Sequence, residues 1–183
     1  MLKWSAFILI SAIFLFFSWG SLYKLKSHGF YRFFAWEIVA VLLLLNVDQW
    51  FTNPFDWYQI LSWILLVISL FPLFFGIHGL ATRGHPNHRR EGEPQLWGIE
   101  RTTVLVTSGI YRYIRHPLYS SLMLLSWGIV LKSPSWYDVL LGLAASVFLV
   151  ATAWADEREC ISFFGDEYRQ YMQRSRMFVP FLF

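Results

Sequence analysis

Three uninterrupted apolar runs, roughly residues 4–23, 33–50 and 57–80, fill most of the first half of the chain. A run of about 20 apolar residues spans the roughly 30 Å of bilayer hydrocarbon at 1.5 Å per helical residue. Few water-soluble architectures bury three such helices in succession. Composition agrees: of 183 residues, 56% are hydrophobic and 15% charged, with 18 Phe and 10 Trp. A soluble domain carries about 25% charged residues, and an aromatic excess suits interfacial belts. The chain reads as an all-α polytopic membrane protein. A cleaved leader is the competing reading of the first run, but no small-residue cleavage site follows before Lys24. One cysteine excludes an internal disulfide and a multi-cysteine metal site.

Asn53-Pro54 breaks the chain between the second and third runs, and Pro72 predicts a kink inside the third. Two further apolar segments, 118–131 and 136–155, are joined by Lys132-Ser-Pro-Ser and predict a helical hairpin. Its first arm is about 14 residues, roughly 21 Å, short of a full crossing. The expectation is about five membrane helices and a C-terminal amphipathic helix within 156–183. With five segments, one side holds residues 24–32, 81–116 and 156–183. Those carry 13 of the 15 Lys and Arg residues, leaving Lys3 and Lys132 opposite. The positive-inside rule then puts the N-terminus outside and the 81–116 loop and the tail in the cytoplasm.

Residues 81–116 are unlike the rest. Arg83, His85, His88, Arg89, Arg90, Arg101, Arg112 and Arg115 lie here among Glu91, Glu93 and Glu100, with Gly and Pro interrupting any helix. His85 and His88 are at most half a metal site, and no metal is expected. The basic residues also suit anionic lipid headgroups. The segment ends in Gly-Ile-Tyr-Arg-Tyr-Ile-Arg-His-Pro-Leu-Tyr, 109–119. Pro117 fits the first turn of the next helix, whose free N–H groups lie beside Arg115 and His116 and suit a carboxylate or phosphate.

Residues 105–119, Leu-Val-Thr-Ser-Gly-Ile-Tyr-Arg-Tyr-Ile-Arg-His-Pro-Leu-Tyr, resemble a signature of the isoprenylcysteine carboxyl methyltransferase family. A looser form is shared by the related phospholipid methyltransferases. The second half of that signature is matched by Asp156-Glu157, Phe164-Gly165-Asp166-Glu167-Tyr168, Tyr171, Arg174 and Pro180. The resemblance covers about two-fifths of the chain. It implies a membrane-embedded methyltransferase that uses S-adenosylmethionine, with 1–80 as scaffold and 81–183 as catalytic region. In the family the cofactor is held by backbone at the positions of Thr103, Val104, Leu105, Val106 and Gly109. Tyr111, the His116, Pro117, Leu118 and Tyr119 group, and Asp156 or Glu157 complete the implied site. Arg115 and Glu157 are the implied catalytic residues. A carboxylate of the cofactor suits Arg115, His116 or the helix N-terminus, and its ammonium suits Asp156 or Glu157. A tyrosine face suits the sulfonium.

Two departures bear on the methyl acceptor. Members acting on prenylated cysteine have an arginine where this chain has Thr152, and Arg-Val-Pro where it has Arg174-Ser-Arg176. A bare carboxylate beside Thr152 is poorly met in an apolar helix. The expected acceptor is therefore a small thiol, a lipid amine or another lipophilic or small molecule, with membrane lipids as the surroundings and no nucleic acid. The alternative is a non-catalytic scaffold or lipid-binding subunit; a transporter is disfavoured because the later helices have no charge at mid-membrane.

Overall fold

The computed structural model describes residues 2–85, 96 and 98–180. Six α-helices account for most of them: α1 Leu2–Leu22, α2 His28–Asn46, α3 Trp57–Arg83, α4 Pro117–Val130, α5 Trp136–Phe164 and α6 Asp166–Arg174. No strand occurs among the described residues; an isolated parallel bridge joins Ile114 and Arg176. His88, and with it the His85–His88 pair, lies outside the described residues.

The ends follow local chemistry. Ser27 caps α2, its hydroxyl accepting from Phe30 N at 3.2 Å. Ser135 caps α5 in the same way through Asp138 N. Pro117 opens α4 where its missing N–H removes no bond. Gly165, at φ +64°, closes α5 by donating to Ile161 O at 2.9 Å. The second helix thus begins at His28, one turn and more before the expected Phe33. α5 runs on to Phe164 instead of stopping at Ala155, because every carboxylate between 156 and 159 finds a cationic or tyrosyl partner from another element. The tail forms helix only over Asp166–Arg174, since Arg176 and Met177 pair with the backbone of Tyr113, Arg115 and His116 instead.

Four helical stretches are long and apolar enough to cross a membrane: Lys3–Leu22, His28–Gln49, Trp57–Arg83 and Trp136–Phe164. α4, at 14 residues, is shorter. α3 packs along α4 and α2 along α5, and α1 rests chiefly on α2. The α3–α4 seam is close: a Cβ on Gly128 would sit 2.9 Å from Leu66 Cδ2. Across the same seam Ser62 donates to Gly128 O at 2.6 Å and Ser121 to Ser69 O at 2.7 Å. Small residues and cross-helix hydroxyl bonds are how helices adhere where lipid supplies no hydrophobic drive. Outward faces carry exposed Ile64, Val67, Phe71 and Phe74, as a lipid-facing surface does.

At one end of the bundle Lys132 turns inward. Its ammonium donates to Gln59 Oε1 at 3.1 Å and lies 3.8 Å from the Trp63 ring centre. Gln59 returns a bond to Lys132 O at 2.8 Å, fastening the α4–α5 turn to α3. The opposite end gathers the C-termini of α1, α3 and α5 and the N-termini of α2 and α4. That end carries the site.

Candidate functional site

The site is built from a loop pinned to a tail. Arg115 N donates to Arg176 O at 2.7 Å, His116 N to Met177 O at 3.1 Å, and Arg176 N to Tyr113 O at 2.9 Å. These bonds hold the Arg-His-Pro segment against residues 176–178 just before α4 begins. Tyr171 of α6 donates to Tyr111 O at 2.6 Å, and Tyr111 donates to Gly76 O of α3 at 3.3 Å. Gly79 makes room for that ring, its Cβ position lying 3.0 Å from Tyr111 Cε2. Gly109 has φ +67°, and a Cβ there would lie 2.6 Å from Arg83 Nη1, whose guanidinium donates to Ser108 at 3.0 Å.

A cavity of about 100 Å³ opens between this pinned loop, α5 and the start of α2. Of the residues singled out from sequence, Leu105, Val106, Tyr111, Arg115, His116, Pro117, Leu118, Tyr119 and Asp156 line it. Thr103, Val104 and Gly109 shape the loop without lining the cavity, and Glu157 lies behind His116. Glu157 instead lines a neighbouring groove with Tyr31, Ala151, Trp154, Arg158 and Ile161.

The electrostatics centre on α5. Asp156 accepts from Tyr119 Oη at 3.3 Å and lies 3.5 Å from His116 Nδ1. Glu157 takes Arg115 Nε at 2.7 Å and lies 3.3 Å from His116 Nε2. Arg115 also donates to Ser175 O at 2.5 Å and Met172 O at 3.2 Å, so the expected catalytic pair is an ion pair tied to the tail. His116 stacks on Tyr119, ring centres 5.3 Å apart and 17° from coplanar. Burial alone would lower the His116 pKa; the Asp156 and Glu157 carboxylates outweigh it and raise it. Burial pushes the Tyr111, Tyr168 and Tyr171 phenols up, so all three stay neutral.

The His116 shift carries a prediction. A group whose folded pKa is raised stabilises the fold fully below its unfolded value, near 6.5, and loses that contribution as pH climbs through the folded value. The detergent-solubilised protein therefore loses stability as pH rises from about 6.5, by at most about 1.4 kcal/mol per pH unit within the window, and its melting temperature falls with it. His116→Gln flattens that limb in thermal melts; an unchanged limb refutes the assignment.

Three residues that line the cavity or brace its wall carry no motif. His28, at the start of α2, donates its backbone N–H to Glu159 at 2.9 Å, and its Nδ1 meets Glu159 Oε2 at 2.8 Å. Arg32, one turn on, makes a two-point bond to Glu100 at 2.7 and 2.8 Å. Arg32 is buried and also stacks over Trp36 at 5.0 Å. The signal that could have found them is the positive cluster 24–32 on the face already assigned to the site. Cys160 also lines the cavity, its Sγ 3.7 Å from Asp156 Oδ1. Thr152 is fully buried and its hydroxyl is spent on Phe148 O at 2.7 Å. Among the described residues no group of three His, Cys, Asp or Glu side chains is disposed to hold a metal ion.

Comparison with known proteins fits this geometry. Residues 95–167 match the phospholipid methyltransferase family. The family resemblance read from the motifs is borne out. The matched stretch takes in the Arg-His-Pro segment, α4, α5 and the start of α6. Methanethiol S-methyltransferase 1 of Bradyrhizobium diazoefficiens is 29% identical over 124 residues, 65% of this chain and 39% of that protein. Protein-S-isoprenylcysteine O-methyltransferase of Schizosaccharomyces pombe is 32% identical over 80 residues, 43% of this chain and 34% of that protein. Methanethiol S-methyltransferase of Crocosphaera subtropica is 21% identical over 153 residues, 82% of this chain and 55% of that protein. The chain thus spans about a third to just over half the length of these methyltransferase relatives.

Proposed function

We propose that the protein is an integral-membrane methyltransferase that uses S-adenosylmethionine and modifies a small or lipophilic acceptor at the cytoplasmic membrane face. The observation that carries this reading is the cavity at the head of α4. It sets a half-buried carboxylate, Asp156, against stacked His116 and Tyr119, beside free N–H groups at a helix N-terminus. The cofactor carries an ammonium, a sulfonium and a carboxylate. Asp156 would hold the ammonium, the tyrosine faces would meet the sulfonium, and the α4 N-terminus beside His116 would take the carboxylate. Leu105, Val106 and Leu118 supply apolar walls, with Thr103, Val104 and Gly109 shaping the loop that presents them. When bound, the cofactor supplies an activated methyl group. What the chain adds is alignment of acceptor and donor and exclusion of water.

Arg115 and Glu157 stand between the cavity and the neighbouring groove. That groove, about 610 Å³ and lined by Tyr31, Trp154 and Ile161, is the acceptor's route from the bilayer. The relatives named above act on methanethiol or on isoprenylcysteine. For this chain a neutral acceptor fits better than a carboxylate at the depth of Thr152, which supplies no cation there; for an acceptor held nearer the surface, Arg158 of α5 lines the same groove. On this reading residues 1–80 are scaffold, save His28 and Arg32, and 81–183 form the catalytic region. α4 completes a set of five membrane helices with the N-terminus outside.

The function is tested by calorimetric titration of S-adenosylmethionine and S-adenosylhomocysteine into the protein in detergent. Labelled methyl transfer to thiol, amine and carboxylate acceptors follows. Absence of cofactor binding refutes the reading and favours a lipid-binding scaffold. The orientation is tested in a Cys160→Ser background. Gln170→Cys is expected to resist an impermeant maleimide in intact cells, and Asn53→Cys to react with it. The reverse pattern inverts the topology.

A further inference from the structure

We infer that His28 is the base that takes the proton from the methyl acceptor, with Glu159 fixing the tautomer that can do so. The inference rests on the methyltransferase reading and narrows its acceptor to one that must lose a proton, a thiol foremost. The geometry distinguishes the two histidines that line the cavity. His116 faces a carboxylate with each ring nitrogen, Asp156 at 3.5 Å and Glu157 at 3.3 Å, so each nitrogen is called on to donate. Such an imidazolium has no lone pair to offer. His28 is arranged otherwise. Its Nδ1 lies 2.8 Å from Glu159 Oε2, and a carboxylate only accepts, so Nδ1 carries the hydrogen and the lone pair falls on Nε2. Nε2 points towards Glu100, another cavity residue, at 4.0 Å, beyond hydrogen-bond length.

The surroundings suit the proton once it arrives. Glu159, Glu100 and Asp156 all face His28, and the guanidinium of Arg32 is engaged in its two-point bond with Glu100. Backbone N–H of His28 bonds to the same Glu159 carboxylate at 2.9 Å, which holds the ring and the helix start as one unit. The ring is almost fully buried, at 1% exposure, so it exchanges protons with what enters the cavity and not with bulk water.

The step balances. A thiol R–SH gives its proton to His28 Nε2, and the sulfur pair attacks the methyl carbon of the sulfonium. The new S–CH₃ bond forms as the old one breaks, and S-adenosylhomocysteine leaves with the electron pair. The products are a thioether, S-adenosylhomocysteine and a proton on His28, passed on to water that enters the cavity once the products have left. A carboxylate acceptor is already ionised and needs no such base.

His28→Asn tests this, because the asparagine amide can keep a donor near the Nδ1 position while the lone pair of Nε2 is gone. With an alkanethiol at neutral pH the expected loss in kcat/KM is about a hundredfold or more, the range of a positioned base. With an aryl thiol, already ionised at that pH, the loss is less than tenfold. Raising the pH restores the alkanethiol rate in the variant as free thiolate accumulates. Glu159→Gln, which still accepts from Nδ1 but carries no charge, gives a smaller loss with the same acceptor dependence. It stands in if His28→Asn does not fold. Equal loss on both thiols in whichever variant folds overturns the base while leaving the methyltransferase reading intact. No transfer to either thiol by the wild-type protein, although it binds cofactor, overturns the base and points to another acceptor; no binding at all overturns the methyltransferase reading itself.

Discussion

Asp156→Asn is expected to lower affinity for S-adenosylmethionine by roughly thirtyfold to several thousandfold while leaving the protein folded. The carboxylate faces the cavity, accepts from Tyr119 and lies beside His116. Asparagine keeps the shape and an oxygen for Tyr119, but it cannot neutralise the ammonium of the cofactor. Losing one partner of a buried, hydrogen-bonded charge pair costs about 2–5 kcal/mol, which sets that range. Titration calorimetry measures it, with the apo melting temperature as the control for folding. Wild-type affinity in a folded variant would remove Asp156 from the site. His116→Ala and Glu157→Ala, each removing a charge-assisted bond at one remove, are expected to cost about 1.5–3 kcal/mol.

Arg115→Ala is expected to destabilise the protein by about 3–5 kcal/mol. Both members of the Arg115–Glu157 pair are buried, 9% and 8% exposed in their side chains. Deleting the guanidinium leaves the buried Glu157 carboxylate with His116 Nε2, at 3.3 Å, as its remaining cationic partner, which is the expensive way to break a buried pair. It also frees Ser175 O and Met172 O, and so loosens the tail from the loop. The double variant Arg115→Met with Glu157→Leu leaves no charge stranded and is expected to recover most of the loss. Thermal melts of Arg115→Met, Glu157→Leu and the double complete the cycle. A double variant as unstable as the sum of the singles would mean that the two residues act independently.

Much of the architecture was legible because hydrocarbon is an unforgiving solvent. The apolar runs located four of the long helices, and the short arm from 118 to 131 came out at the length expected. The carboxylates after Ala155 read as the end of a helix, since nothing local shows that His28, His116 and Arg115 will meet them. Those partners arrive from other elements, between 40 and 131 residues away in sequence. His28 and Arg32 escaped for the same reason: a histidine at a helix start is locally a cap or a surface residue. The motif located the Arg-His-Pro loop, but the backbone pairing of 113–116 with 176–177 has no signature in side-chain type. What pattern reading captured was solvent preference; what it missed was pairing at long range.

The shortness of α4 has a consequence for traffic. Fourteen residues reach about 21 Å, some 9 Å less than the hydrocarbon a full span crosses. On the proposed topology the His116 end is therefore sunk below the plane where its neighbours surface, at the floor of a funnel. A multiply charged nucleoside must climb down that funnel from the water and climb back out once spent. A methylated acceptor has become more oily by one carbon and one lost acidic hydrogen, so its partition coefficient drives it sideways into the bilayer. Donor and product would then leave by separate doors, and accumulation of one need not obstruct the exit of the other.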